Sequence, residues 1–128
     1  MAVCQEFGIE TDNPVIPGIA FGFAGGIGNT GSVCGAVAGA VMAISLKLGR
    51  AGTMEDALAR LEVVKEFRRR FEAEWHDVDC RALTGADLTT RENIERYMDS
   101  DVPQKVCFPA VGAAYRLAVD LLKEASPP

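Results

Sequence analysis

Apolar residues recur every three or four positions through the longest stretch of the chain that contains neither glycine nor proline. Between Met54 and Trp75 they form one stripe, and glutamate and arginine residues occupy the opposite side. This period is that of an α-helix, so the pattern predicts a helix over 54–75 whose stripe faces a core. The stripe consists of Met54, Leu58, Leu61, Val64, Phe67, Phe71 and Trp75.

Glycine and proline divide the rest of the chain into shorter segments with the same period. Gly8 ends a first helical segment over residues 1–7, and Gly49 closes another. Threonines at the starts of two segments, Thr53 and either Thr89 or Thr90, are typical helix caps. Besides the helix over 54–75, the pattern predicts helices near 14–23, 32–48, 90–98 and 105–124.

The last of these segments contains Pro109, which fits a helix only in the first turn or at a kink. Val111, Ala114, Leu117, Ala118, Leu121 and Leu122 form its expected inward stripe. No stretch alternates apolar and polar residues for long enough to form a sheet. The chain is therefore predicted to be all-α, a single domain over 1–128 built as a bundle of about five helices, with a glycine-rich loop before the central helix.

Composition narrows the classes of function. With 128 residues, 48% apolar and 24% charged, the chain is an ordinary globular domain with one core. Its net charge of −5 argues against nucleic-acid partners, which need clustered lysine and arginine. The longest apolar run, 33–46, is too short for a membrane span, and no signal peptide precedes it. We therefore expect a cytoplasmic protein without membrane insertion.

The glycine-rich segment raises one alternative. Residues 26–31 read Gly-Ile-Gly-Asn-Thr-Gly, which fits the dinucleotide-binding pattern G-x-G-x-x-G. That motif needs a strand before it and a second strand with an acidic residue farther on, but the corresponding stretch here is the helical 54–75. A tight loop leading into the central helix is the better interpretation.

Gly31, Gly35 and Gly39 are spaced by four and predict a ridge that lets another helix approach closely. The same closeness would help Gly35 and Gly39 to seat a cofactor. His76, the single histidine, is interpreted as an exposed helix cap, with a spare metal ligand as the alternative.

Four cysteines, Cys4, Cys34, Cys80 and Cys107, are the main candidates for chemistry. In the cytosol ordinary thiols stay reduced, so structural disulfides are not expected. No C-x-x-C pair is present, so a shared site would have to be assembled by the fold from distant segments. The opposing interpretation is that each cysteine is a small buried apolar residue. Helical spacing places Cys34 and Cys107 on inward faces and Cys80 in a turn after a helix end.

Four segments of the chain resemble a known family of redox-active proteins, defined by four cysteines and a Cys-Gly-Ala-x-x-Gly motif. The segments are the glycine-rich 21–28, the motif over 34–43, the third-cysteine region 71–85, and 106–107 at the head of an aliphatic helix. In the family the first cysteine lies in an N-terminal helix, two to three turns upstream of Cys4 as the segments align. Either this first ligand has no counterpart among the residues of this chain, or Cys4 substitutes for it from a nearby turn.

The resemblance implies a small all-helical redox domain related to the cysteine-bearing part of split-Soret cytochromes. It implies that Cys34, Cys80 and Cys107, together with Cys4, ligate an iron–sulfur cluster or another soft metal for electron transfer.

Two alternatives stay open. In one, no metal is bound and two cysteines cycle between dithiol and disulfide, which needs a thiol that ionises readily. The start of the 32–48 helix would favour the thiolate of Cys34, and Arg81 would lower the pKa of Cys80. In the other, the chain is a helical interaction or oligomerisation module whose cysteines only pack. The sequence does not name the redox partner, and association of copies of the chain is compatible with it.

Overall fold

The computed structural model describes residues 1–10, 12 and 14–125, and most of them are helical. The α-helices are α1 (Ala2–Glu6), α2 (Val15–Phe21), α3 (Gly35–Leu48), α4 (Met54–Trp75), α5 (Cys80–Thr84), α6 (Arg91–Asp99) and α7 (Phe108–Ala125), and a π-helical turn, Pro103–Cys107, directly precedes α7. The described residues contain no strand, only an isolated antiparallel bridge between Val33 and Asp79. The all-α prediction is confirmed, and five of the helices have seven residues or more.

Three long helices enclose the core. The last helix, α7, packs against both α3 and α4, which also pack against each other, and α1 contacts α3 and α7. Phe67 and Phe71 of α4, Ile44 of α3 and Leu122 of α7 are fully buried at the centre. Burying an aliphatic or aromatic side chain of this size contributes about 1.5–3 kcal/mol each. Within the described residues, no helix is long and apolar enough to cross a lipid bilayer.

Both predicted threonine caps are present. The Thr53 hydroxyl accepts a hydrogen bond from the Asp56 amide at 3.1 Å, and the Thr90 hydroxyl accepts one from the Asn93 amide at 3.2 Å. Such caps satisfy backbone donors that have no partner inside the helix. His76 ends α4 in a left-handed conformation with φ 71° and is exposed, as expected of a helix cap.

The apolar stripe of α4 is only partly buried, which corrects the prediction for its first half. Met54, Leu58 and Leu61 are 76%, 56% and 62% exposed. The ion pair between Arg70 and Glu124, at 3.0 Å, places the end of the described part of α7 beside the last third of α4. The first turns of α4 therefore extend past the end of α7.

The glycine ridge predicted for α3 is wrong. Gly31 lies before the helix, in a loop, with φ 77°. A Cβ atom on Gly39 would meet no atom within 4 Å, so no helix packs closely there. The helix itself begins at Gly35 rather than at residue 32, because the backbone of residues 31–34 is hydrogen-bonded to residues 78–81 instead.

The last predicted helix is divided into two parts. The Phe108 amide donates to the Pro103 carbonyl, which closes a π-helical turn, and Pro109 follows in the first turn of α7. Proline lacks an N–H and its ring crowds the carbonyl four residues earlier, so a regular α-helix could not continue from 105 through it. Val111 is 54% exposed rather than part of the inward stripe, while the other five residues of that stripe are buried.

Candidate functional site

Two short extended segments hold Cys34 and Cys80 side by side. The Cys34 amide donates to the Val78 carbonyl at 2.7 Å, and the Cys80 amide donates to the Ser32 carbonyl at 2.7 Å. These bonds flank the Val33–Asp79 bridge, so both cysteine side chains point to the same face of the pair. Cys34 and Cys80 are diagonal neighbours across the two segments, and in a regular antiparallel ladder residues in this relation are about 7–8 Å apart.

Each of these cysteines also stands at the start of a helix. Cys34 is the N-cap residue of α3, and Cys80 is the first residue of α5. The sequence pattern placed Cys80 in a turn, and the short helix α5 corrects that prediction. Gly85 ends α5 in a left-handed conformation with φ 67°.

The glycine-rich loop closes directly over Cys80. Gly26 is buried and has φ 76°, and a Cβ atom there would lie 2.5 Å from the Ser32 backbone and 2.8 Å from the Cys80 Cβ. Only glycine has both the conformational freedom and the small size for this position. The loop therefore packs closely against the cysteine site. In the described residues before the loop (1–10, 12 and 14–21) there is no strand of the kind that a dinucleotide site would require.

Cys107 reaches the same region from the opposite side. It is the last residue of the π-helical turn, and its Sγ lies 2.8 Å from the hydroxyl oxygen of Tyr97 on α6. Single π-helical turns are frequent at functional sites because they displace side chains from the regular helical positions. Here the turn sets the position of Cys107 before Pro109 restores a regular helix.

Cys34, Cys80 and Cys107 line one cavity of about 300 Å³. All three are free thiols. None of the residues around the cavity carries a charge; besides the cysteines they are Gly25, Asn29, Gly35, Ala36, Leu83, Thr84, Leu88, Ile94, Tyr97, Met98, Val106, Ala110 and Val111. Met98 is 63% exposed, so the cavity reaches solvent beside α6. The fold thus brings three cysteines from distant segments to one uncharged space.

Burial raises the pKa of the Cys80 thiol above its ordinary value, and the neighbouring Cys34 and Cys107 raise it further, while the Thr84 hydroxyl opposes this in part. The expectation that Arg81 lowers this pKa is wrong, because the Arg81 guanidinium lies 3.3 Å from the Asp87 carboxylate. The pKa of Tyr97 is also raised above its ordinary value. Burial is the largest cause, its hydrogen bond with Cys107 is the next, and the charges of the three cavity thiols follow.

The fourth cysteine lies elsewhere. Cys4 is 2% exposed and belongs to the hydrophobic core, where it packs with the residues around Phe71. It does not line the cavity. The structure therefore does not bring Cys4, the expected fourth ligand, to the other three cysteines.

The two glycines that were predicted to help seat a cofactor, Gly35 and Gly39, do not lie together at the cysteine site. Gly35 lines the cysteine cavity, whereas Gly39 lines a different groove between α1, α3 and α7. Among the described residues, no group of three or more histidine, cysteine, aspartate or glutamate side chains is arranged to hold a metal ion. The three cavity thiols thus do not fit a single metal ion in this arrangement, and cluster or metal ligation stays a prediction from the resemblance.

The sequence interpretation missed Tyr97. Its helix was predicted but was given no role in the site, although Ile94, Tyr97 and Met98 follow helical spacing and all three line the cavity. This spacing was a usable signal for an inward face of α6. The contact with Cys107, ten residues farther along, depends on the intervening loop and had no signal in the sequence.

Comparison with known proteins gives one result. The family model described as "Putative redox-active protein (C_GCAxxG_C_C)" matches residues 1–121. No curated protein and no solved structure matches the chain. The match covers nearly the whole chain, including the cysteine cavity and the helices that form it. The chain therefore belongs to the C_GCAxxG_C_C family that this model describes.

Proposed function

We propose that this protein is a thiol–disulfide redox protein in which Cys34 and Cys80 cycle between the dithiol and the disulfide. One observation carries the proposal: three free thiols from distant parts of the chain line the same uncharged cavity. A purely structural role would explain buried cysteines but would not require that three of them share one cavity open to solvent.

Cys34 and Cys80 are the pair favoured by the backbone. Their segments are joined by two hydrogen bonds of 2.7 Å, and their side chains lie on the same face. A disulfide needs Cβ atoms about 3.5–4.5 Å apart, which is closer than regular diagonal neighbours. Formation of the bond therefore includes a small shift of one segment, and Cys34 can supply it as the residue that precedes α3.

The step uses a disulfide as the oxidant. A cavity thiolate attacks one sulfur of a substrate disulfide, forms a mixed disulfide and releases the first substrate thiolate, which takes up a proton. The second cavity thiolate then attacks the protein sulfur of the mixed disulfide and releases the second substrate thiol. The protein gains one Cys34–Cys80 disulfide and loses two hydrogens, and the substrate is reduced to two thiols.

The intact mass of the reduced protein after exposure to 2-hydroxyethyl disulfide tests the proposal. We expect the wild type to lose the mass of two hydrogens and to keep no adduct. In a Cys107→Ser background, the Cys34→Ser and Cys80→Ser variants should instead retain a mixed-disulfide adduct, because no second cavity thiol remains to displace it. Cys4→Ser is the matched control and should behave like the wild type, since Cys4 lies in the core.

Ligation of an iron–sulfur cluster or another soft metal is the competing interpretation, because thiolates are the ligands that such groups prefer. Protein purified without oxygen separates the two. The dithiol proposal expects a colourless protein with four titratable thiols. Visible absorption together with iron and sulfide in stoichiometric amounts would contradict it.

A further inference from the structure

Three thiols in one cavity can form three different disulfides, so a defined redox pair needs something that keeps the third thiol apart. The third thiol is Cys107, and its hydroxyl partner comes from another helix, whereas the hydroxyl beside Cys80 is that of Thr84 in its own helix α5. The Cys107 Sγ lies 2.8 Å from the hydroxyl oxygen of Tyr97. No hydrogen bond of this kind engages Cys34 in the described residues.

Tyr97 is well placed to hold this sulfur. Its ring is half-buried on α6, and its hydroxyl is directed into the cavity toward the three thiols. Either atom can be the donor in this contact, so the Tyr97 hydroxyl can hold the Cys107 sulfur as a hydrogen-bond donor or as an acceptor.

We propose that Tyr97 is a positioning residue that holds the Cys107 sulfur against α6, so that oxidation links Cys34 to Cys80 and leaves Cys107 as a thiol. This inference rests on the proposed function and names the element that selects the pair. To join a disulfide with either neighbour, Cys107 must give up its hydrogen bond and leave a half-buried hydroxyl without a partner. A loss of that kind disfavours the competing disulfides by about tenfold.

The test compares Tyr97→Phe with Tyr115→Phe. The first variant keeps the ring and removes only the hydroxyl, and the second removes the hydroxyl of the other tyrosine, whose contact is Glu6 at 3.3 Å. Each reduced protein is oxidised with one equivalent of 2-hydroxyethyl disulfide, unreacted thiols are blocked, and the disulfides are assigned by peptide mass spectrometry. We expect mainly the Cys34–Cys80 bond in the wild type and in Tyr115→Phe. Disulfides that contain Cys107 should rise about tenfold relative to that bond in Tyr97→Phe.

The outcomes separate the two proposals. An unchanged distribution in Tyr97→Phe, with the Cys34–Cys80 bond intact, would overturn the role of Tyr97 alone. A wild type that forms no Cys34–Cys80 bond would contradict the proposed function and this inference together. An equal change in both tyrosine variants would also overturn the inference, because it would reflect a general structural effect.

A second measurement examines the contact without any oxidation, in case Tyr97→Phe does not fold. In Tyr115→Phe, Tyr97 is the sole remaining tyrosine, so the tyrosine doublet in its Raman spectrum reports the hydrogen bonding of that hydroxyl. We expect a clear shift of the doublet in the reduced protein when Cys107→Ala is added. The same doublet with and without the Cys107 sulfur would overturn the inference.

Discussion

Gly26 lies directly against Cys80, because a Cβ atom on Gly26 would stand 2.8 Å from the Cys80 Cβ. The glycine-rich loop and the cysteine site are therefore one packed unit. Gly26→Ala should destabilise the protein by about 2–4 kcal/mol, since it adds a left-handed backbone penalty to overpacking. Urea denaturation followed by circular dichroism measures this loss.

Gly28→Ala is the matched control for Gly26→Ala. Gly28 has φ 61°, but a Cβ atom there would meet nothing within 4 Å. It should cost only the backbone penalty, about 1 kcal/mol. Equal losses in the two variants would show that the loop is not packed against Cys80.

The interior of α3 should tolerate a methyl group at Gly39. A Cβ atom there has no neighbour within 4 Å, and glycine inside a helix is less favourable than alanine. We expect Gly39→Ala to raise the free energy of unfolding by about 0.5–1 kcal/mol, as should Gly112→Ala in α7, where space is also open. A loss of stability in Gly39→Ala would contradict this expectation and would support the close helix packing that the sequence pattern predicts.

The loss of folding stability at acid pH should depend in part on Glu66. Hydrogen bonds from Arg69 and then Arg70 lower the pKa of Glu66 from 4.5 to about 2. Because the folded-state pKa lies below the ordinary value, the stabilisation is complete above about pH 4.5 and is lost as the pH falls toward 2. Thermal unfolding from pH 5 to 2 should therefore show a smaller decline in Glu66→Gln than in the wild type. Parallel declines in the two proteins would contradict this assignment.

Cys80 should be the slowest of the cavity thiols to react with iodoacetamide. Burial raises its pKa, and it is 9% exposed, so little thiolate is present and accessible at neutral pH. Peptide-resolved alkylation should show Cys80 reacting more slowly than Cys107, which is less buried. Thr84→Val should slow Cys80 further, because the Thr84 hydroxyl lowers its pKa. Faster alkylation of Cys80 than of Cys107 would count against the burial described here.

Local patterns predicted the helices well because caps and periodicity are short-range properties. Thr53 and Thr90 bond the amides three residues ahead, as their sequence contexts indicated. Such patterns could not predict that Met54 is exposed, because its exposure depends on how far α7 extends along α4. The same limit applies to Gly39, whose open surroundings depend on the paths of neighbouring helices rather than on its spacing.

The sequence indicates which cysteines are candidates for a site, but it does not indicate how the fold arranges them. Cys34, Cys80 and Cys107 were selected from their positions near helix ends and from the family resemblance, and the structure places all three around one cavity. Cys4 could not be separated from them, because nothing in its short N-terminal segment shows that it faces the core. The pairing of residues 31–34 with 78–81 joins segments that are distant in sequence, so no local pattern could show it.

Crystal structures of the reduced and the oxidised protein would test the central claim most directly, through the distances between the Sγ atoms of Cys34, Cys80 and Cys107. We expect three free thiols around one cavity in the reduced protein. In the oxidised protein we expect a single bond between Cys34 and Cys80, at the disulfide length of about 2.05 Å, with Cys107 still beside Tyr97. A metal or cluster bridging the three sulfurs, or an oxidised protein in which Cys34 and Cys80 remain unbonded, would contradict the account.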